Sequence, residues 1–283
     1  MKNIRIIPRL DIKGPNLVKG IHLEGLRVLG KPEDFARCYY ENGADELFFQ
    51  DTVASLYDRN SLQDIITKTA KEIFIPLTVG GGLRTIDDIR NVLRAGADKV
   101  AINTAAVKNP YFIREASLKF GSSTIVVAIE AIKGSDGRYL AFTDNGREYS
   151  GLEVVSWARK VEELGAGEIV ITSVDKEGTG EGYDLDLIRL VSESVTVPVI
   201  AHGGASCPEN IVQAIRYGKA DAVAIASILH YSVMKSFVTY SCDYREEGNT
   251  TFLNAGKIPK MIKPSSLSDI RAVLIKENIP TRF

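Results

Sequence analysis

Two different stretches of this chain recur at the same long spacing, and that repeat restricts the fold more than any other feature. GADELFFQD starts at Gly43 and GAGEIVITS at Gly165, 122 residues later. IPLTVGGG starts at Ile75 and VPVIAHGG at Val197, again 122 residues apart. Two independent segments with one offset imply duplication of half a chain, because a solenoid repeats at a much shorter period. Between and around them, short β-branched runs alternate with helical stretches. Strands are expected at 5–11, 46–51, 75–79, 99–103, 124–130, 168–173, 197–201 and 222–226, each followed by a loop and a segment of helical period such as SLQDIITKTAKEI or TIDDIRNVLRAG. Eight such βα units in two like halves predict an α/β protein, a (β/α)₈ TIM barrel occupying residues 1–283 as one domain.

Composition narrows the setting. A hydrophobic content of 45 % supports a large core, and 35 basic against 36 acidic residues leave a net charge of −1. Such a balance gives no overall field for nucleic acid or an anionic membrane, and neither is expected as a partner. Cys38, Cys207 and Cys242 lack metal-like spacing and fit a reducing compartment. The first residues, MKNIRIIPRLDI, are broken by Arg5 and Arg9 and read as a strand rather than a signal peptide. No run approaches the roughly 20 apolar residues of a membrane span, so a cytoplasmic location is expected.

Near the end the pattern changes. Residues from about 231 to 264 show weak periodicity and read as an insertion in the last βα loop. It is placed either to shape a substrate site or to make an oligomer contact. A clear helix, SSLSDIRAVLIKEN, follows, with a Ser cap and an Asp in its first turn.

Barrel enzymes work at the carboxyl ends of their strands. There Gly81 and Gly82 follow strand three, and Gly203 and Gly204 follow its repeat partner, strand seven. Glycine lets backbone N–H groups approach phosphate oxygens closely. Asn103 and Thr104 end strand four, and Ala226 and Ser227 hold the equivalent place after strand eight, where a following helix amino terminus helps to bind an anion. One Gly-Gly is weak testimony, but the same pair of devices at repeat-equivalent positions points to two phosphate sites and a bis-phosphorylated small-molecule substrate. Between them, Asp11 ends strand one and Glu130 ends strand five, placed to act as general acid and general base. Their competing roles are helix cap or salt-bridge partner. Lys19, in the glycine-containing loop GPNLVKGIHLEG, is expected on a mobile lid within reach of an anionic substrate. Asp51, Glu177, Gly178 and Thr179 complete the polar ends of strands two and six, and His202 reads as a pocket wall. With no ligand cluster and no dinucleotide fingerprint, no metal or other cofactor is expected.

These residues closely resemble the cyclase subunit of imidazole glycerol phosphate synthase. LDIK, LVKG, VGGG, ADKVAINTAAV, AIEAIK, ELGAGEI, EGTGEGYD and HGGA fall in that family's order over roughly residues 1–230, and the likeness resumes in the last helix. The resemblance implies a lyase of histidine biosynthesis. It would use ammonia from a separate glutaminase subunit, its partner in a heterodimer, to convert a ribulosyl carboxamide with two phosphates into imidazole glycerol phosphate and aminoimidazole carboxamide ribotide. It also implies that Asp11 is a catalytic aspartate, Lys19 the lid lysine and the glycine pairs the phosphate cradles. Arg5, Glu46, Lys99 and Glu168, at the starts of strands one, two, four and six, match a charged ring through which ammonia enters.

Some positions depart from the family pattern. Glu130 stands where an aspartate is usual, Glu177 replaces another, and Arg9 replaces a cysteine. Strand alternation aims Arg9 into the barrel, where a buried guanidinium needs a carboxylate such as Asp11 or Glu130, and an acid so paired is a poorer proton donor. An intact ring with altered acids also fits a second expectation: an ammonia-channelling subunit that serves a glutaminase and a sugar amidotransferase in surface-glycan synthesis.

Overall fold

The structure is a computed structural model that describes residues 3–54, 62–236 and 259–282. In chain order its strands are β1 (Arg5–Lys13), β2 (Asn16–Ile21), β3 (Glu24–Gly30), β4 (Leu47–Asp51), β5 (Leu77–Gly80), β6 (Lys99–Ile102), β7 (Ile125–Lys133), β8 (Tyr139–Thr143), β9 (Glu148–Glu153), β10 (Glu168–Ser173), β11 (Val199–His202) and β12 (Ala222–Ile225). Eight of them pair in parallel in the order β1-β4-β5-β6-β7-β10-β11-β12, and β12 returns to β1 through the register Arg5↔Ala222. The expected closed barrel is therefore present, with helices between its strands.

Alternation along each strand builds two cores. Ile7, Phe48, Val126, Val170 and Ile200 point inward with Ala101, Ala222 and Ala224 and fill the lumen. Their neighbours Ile6, Leu47, Phe49, Val127, Ile169 and Ala201 point outward beneath the helices. Strands buried on both faces read as continuous apolar runs, which is why each was visible in the sequence.

The extra strands were not expected. β1 runs on into an antiparallel hairpin with β2 and β3, and β7 does the same with β8 and β9. GPNLVKGIHLEG thus forms a hairpin over the barrel mouth rather than an irregular loop. Its turn uses His22 and Leu23 at φ 53° and 63°, residues that carry no hairpin signature. The second turn is Asp144-Asn145-Gly146, all at positive φ, and its Asn-Gly pair was a readable signal.

The end of the chain also differs from expectation. A helix spans Ser227–Ser236, so residues 231–236 belong to it and not to an insertion. Ile228, Leu229, His230 and Tyr231 are all buried, which removes the polar face that makes helical periodicity visible. Residues 237–258 of the expected insertion lie outside the described residues. The last helix, Leu267–Lys276, is capped as expected: Ser266 accepts from the Asp269 N–H and Asp269 returns the bond. It buries Leu267, Ile270 and Leu274 against the barrel. Ser266→Ala is expected to cost about 1 kcal/mol, read as a lower denaturant midpoint at unchanged slope.

Candidate active site

Two separate hollows open at the carboxyl ends of the strands. The first, about 330 Å³, is lined by Asp51, Gly81, Gly82, Asn103, Thr104 and Glu130 among others. Gly81 sits at φ 102°, and a Cβ there would lie 2.4 Å from the Asp51 carbonyl oxygen. The second, much smaller, is lined by Glu177, Gly178, Gly203, Gly204, Ala226 and Ser227. A Cβ on Gly204 would lie 2.1 Å from the Gly182 carbonyl oxygen, so the turn closes only with glycine. Ser227 begins a ten-residue helix whose amino terminus faces this hollow. The repeat-equivalent glycine turns therefore stand on different walls.

Several candidate side chains are already engaged. Asp51 accepts from the N–H groups of Val53 and Ala54 at 3.0 and 2.9 Å, the capping role that competes with ligand binding. Thr179 lies beside the second hollow but not in its lining; its hydroxyl donates to the Lys176 carbonyl at 2.8 Å and accepts from the Glu181 N–H. Asn103 donates to the Phe142 carbonyl, and Thr104 accepts from the Asp144 N–H at 3.1 Å. These bonds tie the β8–β9 hairpin to the first cradle. Asp144, Asn145, Arg84 and Lys108 also line that hollow, and the sequence reading missed them. The first two lie on the unrecognised hairpin, Arg84 in the loop before the helix Ile86–Ala95, and Lys108 at the end of the helix Thr104–Lys108.

Between the cradles lie five buried charged residues. Asp11 is 2 % exposed. Arg9 Nε donates to its Oδ1 at 3.0 Å, and Lys19 Nζ lies 3.9 Å from its Oδ2. The expected carboxylate partner of Arg9 is thus Asp11, while Lys19 pairs with Glu177. Lys19 is 3 % exposed and sits on β2. Glu177 also accepts from the Leu23 N–H at 3.1 Å and so pins the first hairpin shut. Glu130 differs from the other acids: its Oε2 accepts from the Gly146 N–H at 2.7 Å. Burial pushes its carboxyl up to about 7, against the opposing pull of Arg9. His202, buried beside the Arg9 charge, is held well below the usual imidazole range and is neutral.

At the opposite end of the barrel, the four expected charges close a ring. Arg5 Nη1 lies 2.6 Å from Glu46 Oε1 and 2.8 Å from Glu168 Oε1. Lys99 Nζ lies 3.2 Å from each of the same two carboxylates. The alternating pairs shut the floor beneath the apolar layer of the lumen.

The chain is similar to the imidazole glycerol phosphate synthase subunit HisF of Legionella pneumophila, with 58 % identity over 204 residues, 72 % of this chain and 96 % of that protein. The chain belongs to the HisF family. Its residues 5–235 match the histidine biosynthesis protein family. HisF subunits of Alkaliphilus metalliredigens (48 % identity over 228 residues, 81 % of this chain and 90 % of that one) and Methanocaldococcus jannaschii (50 % over 246, 80 % and 90 %) are also similar. Within this HisF family member, no group of three or more His, Cys, Asp or Glu among the described residues is arranged to hold a metal. No helix among them is long and apolar enough to cross a membrane.

Proposed function

We propose that this chain is the cyclase subunit of imidazole glycerol phosphate synthase, a lyase of histidine biosynthesis, and that it works with a glutaminase subunit. One observation carries the reading: two glycine cradles on separate walls flank Asp11 and Glu130, above a barrel closed by a four-charge ring. A ribulosyl carboxamide with a phosphate at each end spans the two hollows, held at one end by Gly81, Gly82, Asn103 and Thr104 and at the other by Gly203, Gly204, Ala226 and Ser227. Fixing both ends places the ribulosyl carbonyl between the acids, and such positioning supplies much of the rate. Ammonia made by the glutaminase enters at Arg5, Glu46, Lys99 and Glu168 and rises through the apolar lumen, which a neutral molecule crosses without losing a tight hydration shell.

When ammonia adds to a carbonyl carbon, the nitrogen must lose a proton and the oxygen must gain one. Asp11, ion-paired with Arg9, is the acceptor. Glu130, poised at about 7, is the donor. With glutamine as nitrogen source, turnover is expected to fall as pH rises through about 7 and Glu130 gives up its proton. Glu130→Gln should erase that limb and lower kcat by about 10²-fold. Stability follows the same sign. The fold binds this proton more tightly than the unfolded chain does, so Glu130's contribution is complete below its ordinary 4.5 and is lost as pH rises through about 7.

The deciding experiment supplies the purified chain with ammonium chloride and the ribulosyl carboxamide and follows substrate loss. Turnover supports the cyclase. No turnover, with tight glutaminase binding retained, would instead assign the barrel as an ammonia conduit for a sugar amidotransferase.

A further inference from the structure

The reaction outlined above uses Arg9 only as a counter-ion, yet its side chain reaches far beyond Asp11. It starts on β1, and Nη1 donates to Thr172 Oγ1 on β10 at 3.3 Å and to His202 Nδ1 on β11 at 3.1 Å. Going round the barrel from β1, β10 is three places away through β12 and β11, nearly opposite in a ring of eight. On the other side of β1, the guanidinium carbon lies 5.6 Å from the centre of the Phe48 ring of β4. The residue is 3 % exposed. Its planar head therefore crosses the lumen, directly above the apolar layer of Ile7, Phe48, Val126, Val170 and Ile200 and directly below the acids.

We infer that Arg9 is a second gate on the ammonia path, a guanidinium crossbar that keeps the lumen closed towards the mouth until substrate engages Asp11. The inference rests on the reading that ammonia rises through the barrel. Of the three groups that accept hydrogen bonds from the crossbar, Thr172 and His202 are neutral and only Asp11 carries a charge. A substrate whose reacting centre takes up the Asp11 carboxylate removes the one charged tether. The two bonds left run from the guanidinium to neutral acceptors and lack the attraction of an opposite full charge, so the guanidinium is held less tightly and is free to turn aside. An ammonium ion climbing the lumen would meet a fixed positive charge after shedding its water, whereas ammonia meets only hydrogen-bonding groups. The gate thus passes the neutral nucleophile and delays it until an acceptor is in place.

The test uses the complex of this chain with its glutaminase, fed glutamine and the ribulosyl carboxamide, and compares wild type with Arg9→Ala and Arg9→Lys. The readout is glutamate formed per product formed, a ratio that does not depend on how much of each variant folds. Wild type should give a ratio near one. Opening the crossbar in Arg9→Ala should raise it by roughly fivefold or more as ammonia escapes, with Arg9→Lys in between. Turnover of the same variants on ammonium chloride reports the chemical step alone and should fall by less than the ratio rises. A ratio that stays at one in Arg9→Ala overturns the gate. A rise no larger than the loss of salt-driven turnover also overturns it, because Arg9 would then act only through Asp11. If wild type forms no product from glutamine, the relay reading itself fails and takes the gate with it, a result distinct from the other two.

Discussion

Asp11→Asn is expected to lower kcat/KM by about 10²- to 10⁴-fold, the usual worth of a positioned proton acceptor. The change is nearly isosteric. The amide oxygen can still accept from Arg9 Nε, now 3.0 Å from Oδ1, so the crossing of the lumen survives while the charge disappears. Losing that charge leaves the buried guanidinium with only neutral partners, so a drop in melting temperature should accompany the loss of activity. Steady-state assays of the glutaminase complex, paired with thermal unfolding, separate the two effects. Residual activity within tenfold of wild type would show that Asp11 is a structural counter-ion and no catalyst.

Gly81→Ala should have the second large effect, on both binding and stability. At φ 102° an L side chain is strained, and its Cβ would sit 2.4 Å from the Asp51 carbonyl oxygen and 2.8 Å from the Asp51 Cβ. Neither atom is the far end of a flexible chain, so the β5 turn must shift from its place beside Asp51 and the cradle is distorted. A destabilisation of about 3 kcal/mol is expected from overpacking and backbone strain together. KM should rise about tenfold or more as one phosphate loses its backbone donors. Gly25→Ala is the control. That glycine also has positive φ, 61°, but nothing lies within 4 Å of its added carbon, so only the cost of a left-handed residue, about 1–2 kcal/mol, should appear. If both variants bind substrate as tightly as wild type, the cradle is misassigned.

Much of this was legible because one rule, alternation along a strand, governs both the core and the site. The same period that sends Ile7 into the lumen sends Arg5 to the floor and Arg9 and Asp11 towards the mouth, while the ring of Arg5, Glu46, Lys99 and Glu168 was expected only from the family resemblance. Duplication then paired the glycine turns. What stayed hidden depends on contacts between segments distant in sequence. Lys19 reads as a lid lysine facing an anionic substrate until a hairpin folds over the mouth and sets it against Glu177, 158 residues away. Nothing near Arg9 in sequence names Thr172 or His202 as its partners. The hairpin β8–β9 carried its Asn-Gly signal in plain view, but its strands are too short and mixed to stand out beside the long buried run of β7.

The floor ring has a bearing on how the two halves of the barrel find each other. Arg5, Glu46 and Lys99 come from the first half and Glu168 alone from the second, so neither half is neutral at this level by itself. Two copies of the amino-terminal half, stacked on one another, would confront four cations with two acids, whereas joining the natural partners balances the charge. Like-charge crowding of this kind disfavours wrong pairings more than it strengthens the right one. The duplicated chain thereby carries, at its base, an instruction about which halves belong together.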